Sequence, residues 1–135
     1  MTFQYAAKFI CELHKNTPGL AHGTYQTDIN VHNPNREVVS FQFKLAIAGE
    51  GPADGTITPF KPARIISDGA HFFACETVHK IFGLPPTQLI DGFFVIQSER
   101  QLDVIAVYTT NDLNGAGVPA IEVERVFERD LSQLK

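Results

Sequence analysis

The chain has no tryptophan, one methionine and two cysteines among its 135 residues, and its 11 lysines and arginines are outnumbered by 15 aspartates and glutamates. Each shortage removes a class of protein. A net charge of −4 and a pI near 5.7 leave no basic patch for a phosphate backbone, so no nucleic-acid partner is expected. No apolar run approaches the roughly 18 residues of a membrane-spanning helix, so no membrane partner is expected either. Met1–His14 lacks the separate basic and apolar regions of a signal peptide, which implies a cytoplasmic protein. Cys11 and Cys75 make neither a zinc pattern nor a disulfide framework, and their apolar neighbours read them as small inert buried thiols. Without tryptophan, and with only three tyrosines, an aromatic platform for sugars has little to be built from. Gly49-Glu50-Gly51-Pro52 is followed by neither Lys-Ser/Thr nor a helix, so no phosphate cradle and no cofactor are implied.

What is present is alternation. Val39, Phe41, Phe43, Leu45 and Ile47 alternate with Ser40, Gln42, Lys44 and Ala46, the pattern of a strand with one buried face. Phe3, Tyr5, Ala7, Phe9 and Cys11 repeat it at the start of the chain. Between Ile29–His32 and Arg36–Val39, a three-residue Asn33-Pro34-Asn35 loop would set Ile29 against Val39 in a hairpin and keep the apolar groups together. Strands are also expected over Ala63–Ile66 and Ala70–Cys75, followed by one short helical turn capped by Thr77 and ended by Gly83. Gly92–Ser98 and Gln101–Thr110 are apolar on both faces and read as a second hairpin about Glu99-Arg100. In a small sandwich one face meets the core and the other must meet a loop, the helix or another subunit, which points to a homo-oligomer with the Phe93–Thr110 hairpin as the expected self-association surface. Gly49–Gly55 and Asn111–Pro119 read as loops poised to order over a ligand, Ala120–Phe127 as a last strand with a β-bulge near Glu124 and Arg125, and Glu128–Lys135 as a frayed tail. Residues 1–135 form one domain, an all-β antiparallel sandwich or jelly-roll-like fold.

Chemistry is sparse. The five histidines show no pair at metal-ligand spacing, and no nucleophile elbow is present, so neither catalytic nor metal-binding residues are expected. Asp103, inside an apolar strand, needs a partner, for which Arg100 or a backbone amide would serve. The best candidate site is the row Asp28, Asn30 and His32 with Asn33 beside it. These are short hydrogen-bonding groups on a rigid strand, to which Lys8 and Lys44 would add charge. A polar small molecule is the ligand such a row would take.

Several runs resemble an uncharacterised bacterial β-sandwich family: Tyr5-Ala6-Ala7-Lys8-Phe9-Ile10-Cys11, Gly23-Thr24-Tyr25 leading to Asp28-Ile29-Asn30-Val31-His32-Asn33-Pro34, and Gly92-Phe93-Phe94-Val95-Ile96-Gln97-Ser98 with Leu102-Asp103-Val104-Ile105-Ala106-Val107-Tyr108-Thr109. More distantly, Phe94–Ser98 and Pro62-Ala63-Arg64 are similar to the sensory rhodopsin transducer group, proposed as a superfamily of small-molecule-binding domains. The resemblance implies a non-enzymatic binding or adaptor domain, homo-oligomeric, with no assigned ligand. The alternatives are a cupin-like metal-dependent enzyme, against which the missing His-x-His spacing counts, and a structural or protein-interaction oligomer.

Overall fold

The computed structural model describes residues 1–14, 19–111 and 120–133. Its strands are β1 (Phe3–His14), β2 (Gly23–His32), β3 (Val39–Ile47), β4 (Lys61–Ile65), β5 (Ala70–Ala74), β6 (Ile90–Ser98), β7 (Asp103–Asn111), β8 (Ala120–Arg125) and β9 (Arg129–Asp130), with one helix, α1 (Cys75–Ile81). They form an antiparallel β-sandwich. Sheet A runs β4-β3-β6-β1, and β9 pairs with the start of β1. Sheet B runs β5-β2-β7-β8. β3 with β6 and β2 with β7 nest about the β4–β5 corner as the arms of a folded-over hairpin would.

β1 belongs to both sheets. It pairs with β6 as far as Cys11↔Ile90, then with β2 from Glu12↔Tyr25. The change falls at Glu12, whose φ of 80° is a left-handed conformation that costs a non-glycine residue about 1–3 kcal/mol. The outer edge of β1 faces sheet B, whose hydroxyls close it. Thr27 Oγ1 donates to Ile10 O and accepts from Ile10 N–H, and Tyr108 donates to Lys8 O; in the opposite sense, the Tyr5 hydroxyl of β1 accepts from Leu102 N–H just before β7. Backbone groups at a sheet edge are satisfied here by side chains rather than by another strand.

The core lies between the sheets, where alternation puts it. Phe43 and Phe94 of sheet A and Phe73 of sheet B form a ring triad with centroids 4.9–5.5 Å apart. Each such buried ring contributes about 1.5–3 kcal/mol. Gly92 is required between β1 and β3, because a Cβ there would sit 2.2 Å from Ala46 O.

Two expected hairpins do not form. β2 and β3 lie in opposite sheets, and Asn33-Pro34-Asn35 begins a crossover instead of a turn. β6 and β7 also lie in opposite sheets, so Glu99-Arg100 belongs to another crossover. Four residues, 99–102, extend to about 13 Å, enough to bridge the ~10 Å between packed sheets. β6 and β7 each bury one face in the core, and their remaining apolar residues stand on opposite outer faces, Phe93 exposed on sheet A and Ile105 and Val107 half-buried on sheet B.

Other expectations shift as well. The helix starts at Cys75, directly off β5, with Ala74 at its N-cap and no side-chain cap, so Thr77 lies inside it; Gly83 ends it at φ 66°. No bulge interrupts β8, whose register with β7 is continuous from Ile105↔Arg125 to Thr110↔Ala120. The tail is not frayed through residue 133: β9 pairs with β1 and Leu131 N–H donates to Thr2 O. Residues 112–119 of the Asn111–Pro119 loop and the last two of the tail fall outside the described residues.

Cys11 and Cys75 are not free thiols but a disulfide joining β1 to the start of α1. Sequence spacing carried no sign of it, since the two residues meet only after the sheets stack. An oxidising compartment favours such a bond, which sets it against the cytoplasmic placement expected from the sequence. Closing a loop of 64 residues restricts the unfolded chain enough to stabilise the fold by about 2–4 kcal/mol. Urea unfolding followed with and without a thiol reductant should show that loss; identical midpoints would mean that the sheets hold unaided.

Candidate functional site

β2 is the middle of sheet B, and its two faces divide the sequence. Thr27, Ile29 and Val31 are buried toward the core, while Asp28, Asn30 and His32 alternate outward. Cross-strand pairing flanks this polar row with Val107, Ile105 and Asp103 on β7 and with Ala74, Phe72 and Ala70 on β5. Beyond β7, Val123 and Ile121 of β8 share the outer face, 64% and 68% exposed. Phe72 is 64% exposed on the opposite flank. The outer face of sheet B is therefore a polar row between two apolar margins.

His32 is held from both sides. Its Nδ1 lies 2.8 Å from Asp103 Oδ2, and its Nε2 lies 2.8 Å from Asp68 Oδ1. The partner of Asp103 is therefore His32, across the strands, while Arg100 pairs with Glu37. Asp68 sits at φ 58° in the β4–β5 turn, a conformation aspartate tolerates. No reading of the sequence placed Asp68 here; the turn signature Ser67-Asp68-Gly69 was its only trace. Two carboxylates raise the imidazole pKa above its ordinary 6.5, the Asp103 hydrogen bond first and the Asp68 bond second. With both nitrogens occupied, the ring has no free lone pair to act as a base, and the two carboxylates on opposite edges of it cannot converge on one metal ion. Among the described residues, no group of three or more His, Cys, Asp and Glu is gathered as a metal would require.

Asp28 has the opposite problem. Its Oδ1 is buried with no hydrogen-bond partner among the described residues. Burial raises the carboxyl pKa above 3.8, with the Asn30 amide working in the other direction. A buried acceptor left unmatched costs about 1–3 kcal/mol.

The other three candidates lie elsewhere. Asn33 is fully buried and its amide is spent within the fold. Nδ2 donates to Glu37 O, Ile65 O and Ile66 O, and Oδ1 accepts from Asn35 N–H and Nδ2. Asn33 acts as a structural hub. Lys8 and Lys44 stand on the outer face of sheet A. Lys8 pairs with Asp91 and lies 5.4 Å from the Phe93 ring, and Lys44 lies 4.5 Å from the Phe60 ring. Neither lends charge to the β2 row. The polar row is thus brought together as the alternation implied, while the residues added to it are dispersed.

The fold is similar to the crystal structure of Thermotoga maritima 1070, with a TM-score of 0.60, 8% sequence identity, and coverage of 93% of this chain and 91% of that one. At that identity the likeness speaks for the fold alone. No family model and no curated protein matches the chain. Among the described residues, no helix is long and apolar enough to cross a membrane.

Two pH effects follow. The folded state holds the His32 proton more tightly than the unfolded chain does. The resulting stabilisation is complete below the unfolded value of 6.5 and disappears as pH rises through the folded value. An NMR titration should place the His32 midpoint above 6.5, and Asp103→Asn should bring it back down. Asp28 has the reverse dependence: its penalty is absent below 3.8, where the carboxyl is neutral in both states, and complete above the folded value. Asp28→Asn should therefore be at least as stable as the native chain at pH 7 and lose that advantage toward pH 3, as measured by urea unfolding across that range.

Proposed function

We propose that the chain is a non-enzymatic, homo-oligomeric binding domain that takes a polar small molecule, or a partner, on the outer face of sheet B. The observation that carries this reading is the half-buried polar row Asp28, Asn30 and His32, on a strand fixed on both sides. Such a row offers hydrogen-bonding groups at fixed spacing to a ligand lying across the sheet. The exposed margins Ile121, Val123 and Phe72 support a second copy as the cover for the same face, since contiguous apolar surface rimming a polar centre marks an interface. Self-association is thereby assigned to one outer face instead of to a β6–β7 hairpin. The resemblance to the bacterial β-sandwich family and, distantly, to the sensory rhodopsin transducer superfamily points to the same class of function. The Gly49–Gly55 loop borders sheet A, through Ile47 N–H to Thr56 O, so it has no part in this site.

A thermal-shift screen against sugars, nucleotides and amino acids tests the reading together with light scattering on a sizing column. A true ligand at about 100 times its Kd adds roughly 2.7 kcal/mol, several degrees in Tm. Asn30→Ala should abolish that shift, and Val123→Glu should convert the oligomer to monomer without unfolding it. A monomeric native chain with a flat screen would end this proposal.

A further inference from the structure

The His32 ring bridges two elements that are far apart in the chain. Asp103 opens β7 and stands opposite His32 in the β2–β7 ladder, so backbone pairing sets its place beside the ring. Asp68 comes from the turn between β4 and β5, where its side chain is 89% exposed, and it meets Nε2 through that side chain alone. The turn is held by other means: Asp68 N–H donates to Asn33 O, Asn33 N–H to Gly69 O, and Gly69 N–H to Ile66 O. Its backbone needs no help from His32.

The proton count decides what the ring can hold. An ionised carboxylate only accepts, so two carboxylates 2.8 Å from the two ring nitrogens require both nitrogens to donate. The imidazolium alone does so. A neutral imidazole has one N–H and one lone pair, and a lone pair turned toward a carboxylate repels it. Loss of the proton therefore breaks one of the two contacts. Asp103 is 45% exposed and anchored by its strand, whereas Asp68 already stands mostly in water and leaves by a side-chain rotation. The contact that yields is the one to Asp68. The charged groups that act on the ring are these same two carboxylates; β5 faces it with Ala70, and Asn30, on the same face of β2, is neutral.

We propose that His32 is a pH-operated latch: protonated, it draws the Asp68 carboxylate over the end of the polar row, and neutral, it keeps Asp103 on Nδ1, frees Asp68 to water and presents a bare Nε2 on the outer face of sheet B. One proton passes from Nε2 to solvent, and no bond between heavy atoms changes. Both carboxylates favour the protonated ring, Asp103 ahead of Asp68, so the latch is closed below pH 6.5 and opens above it. The open face carries one more negative charge and a free hydrogen-bond acceptor, which suits a donor ligand better than the closed face does. That consequence rests on the binding role proposed above; the latch itself does not, and it is read on the ligand-free protein.

Nitrogen-15 NMR of the imidazole through a pH titration distinguishes the imidazolium from each neutral tautomer. Two N–H signals are expected below the transition and the Nδ1–H tautomer alone above it, with the Asp68 carboxyl carbon moving at the His32 midpoint to the shift of a free carboxylate. Asp68→Asn, which tolerates the left-handed φ of 58° and can donate to a bare Nε2, should lower the midpoint and leave the Nδ1–H tautomer in place. A single N–H below the transition, an Nε2–H tautomer above it, an Asp68 carbon indifferent to His32, or a midpoint unmoved by Asp68→Asn would each overturn the proposal.

Discussion

The sandwich depends on how β1 leaves one sheet for the other. An edge strand offers a row of unpaired N–H and C=O groups that water or another chain would otherwise claim. Here that row faces sheet B, where the hydroxyls of Thr27 and Tyr108 take up the Ile10 and Lys8 backbone groups, while the Tyr5 hydroxyl of β1 accepts in turn from Leu102 N–H. These are hydrogen bonds between layers, where hydrophobic packing alone leaves two sheets free to slide. The Cys11–Cys75 disulfide lies one residue before the left-handed Glu12 at which β1 changes partners, so a covalent tie sits next to the strained point. Packing, register and the disulfide thus converge on the residues from Lys8 to Glu12.

A second fixed point organises the other end. Asn33 joins three segments through its side chain, and its backbone N–H donates to Gly69 O while its O accepts from Asp68 N–H. The crossover out of β2 and the β4–β5 turn are therefore held as one body. One consequence is chemical: the turn delivers Asp68 to His32, the residue next to Asn33 in the chain. The polar row owes part of its geometry to a buried amide beside it.

Much of the fold was legible because alternation records which face is buried. The inward faces of β1 and β3 follow directly from Phe3–Cys11 and Val39–Ile47, and the outward row on β2 from the same rule. What alternation does not record is the partner of each strand. Asn33-Pro34-Asn35 and Glu99-Arg100 have the composition of turns, and a short crossover between stacked sheets uses the same residues as a hairpin loop. The Asp103–His32 and Cys11–Cys75 pairs were beyond reach for that reason, since each joins strands whose adjacency is set by topology. The change of apolar phase in Ala120–Phe127 was a real signal assigned the wrong cause. Val126 is buried while Ile121 and Val123 are exposed, and a continuous register requires no bulge between them.

That change of phase is where fold and function meet. In a closed sandwich every inward position is bought by burial, and a strand carrying two inward carboxylates would be expelled. β8 avoids this by overhanging β1, so that only its Val126 end reaches the core while Glu122 and Glu124 remain in a cleft at the open edge. The same overhang turns Ile121 and Val123 outward, in line with Val107 and Thr109 of β7. A monomer gains nothing from either arrangement: it exposes apolar groups on one side and sets like charges against each other on the other. The carboxylates are exposed to water, which screens their repulsion, so the larger cost of the arrangement is the apolar surface that Ile121 and Val123 present on the outer face.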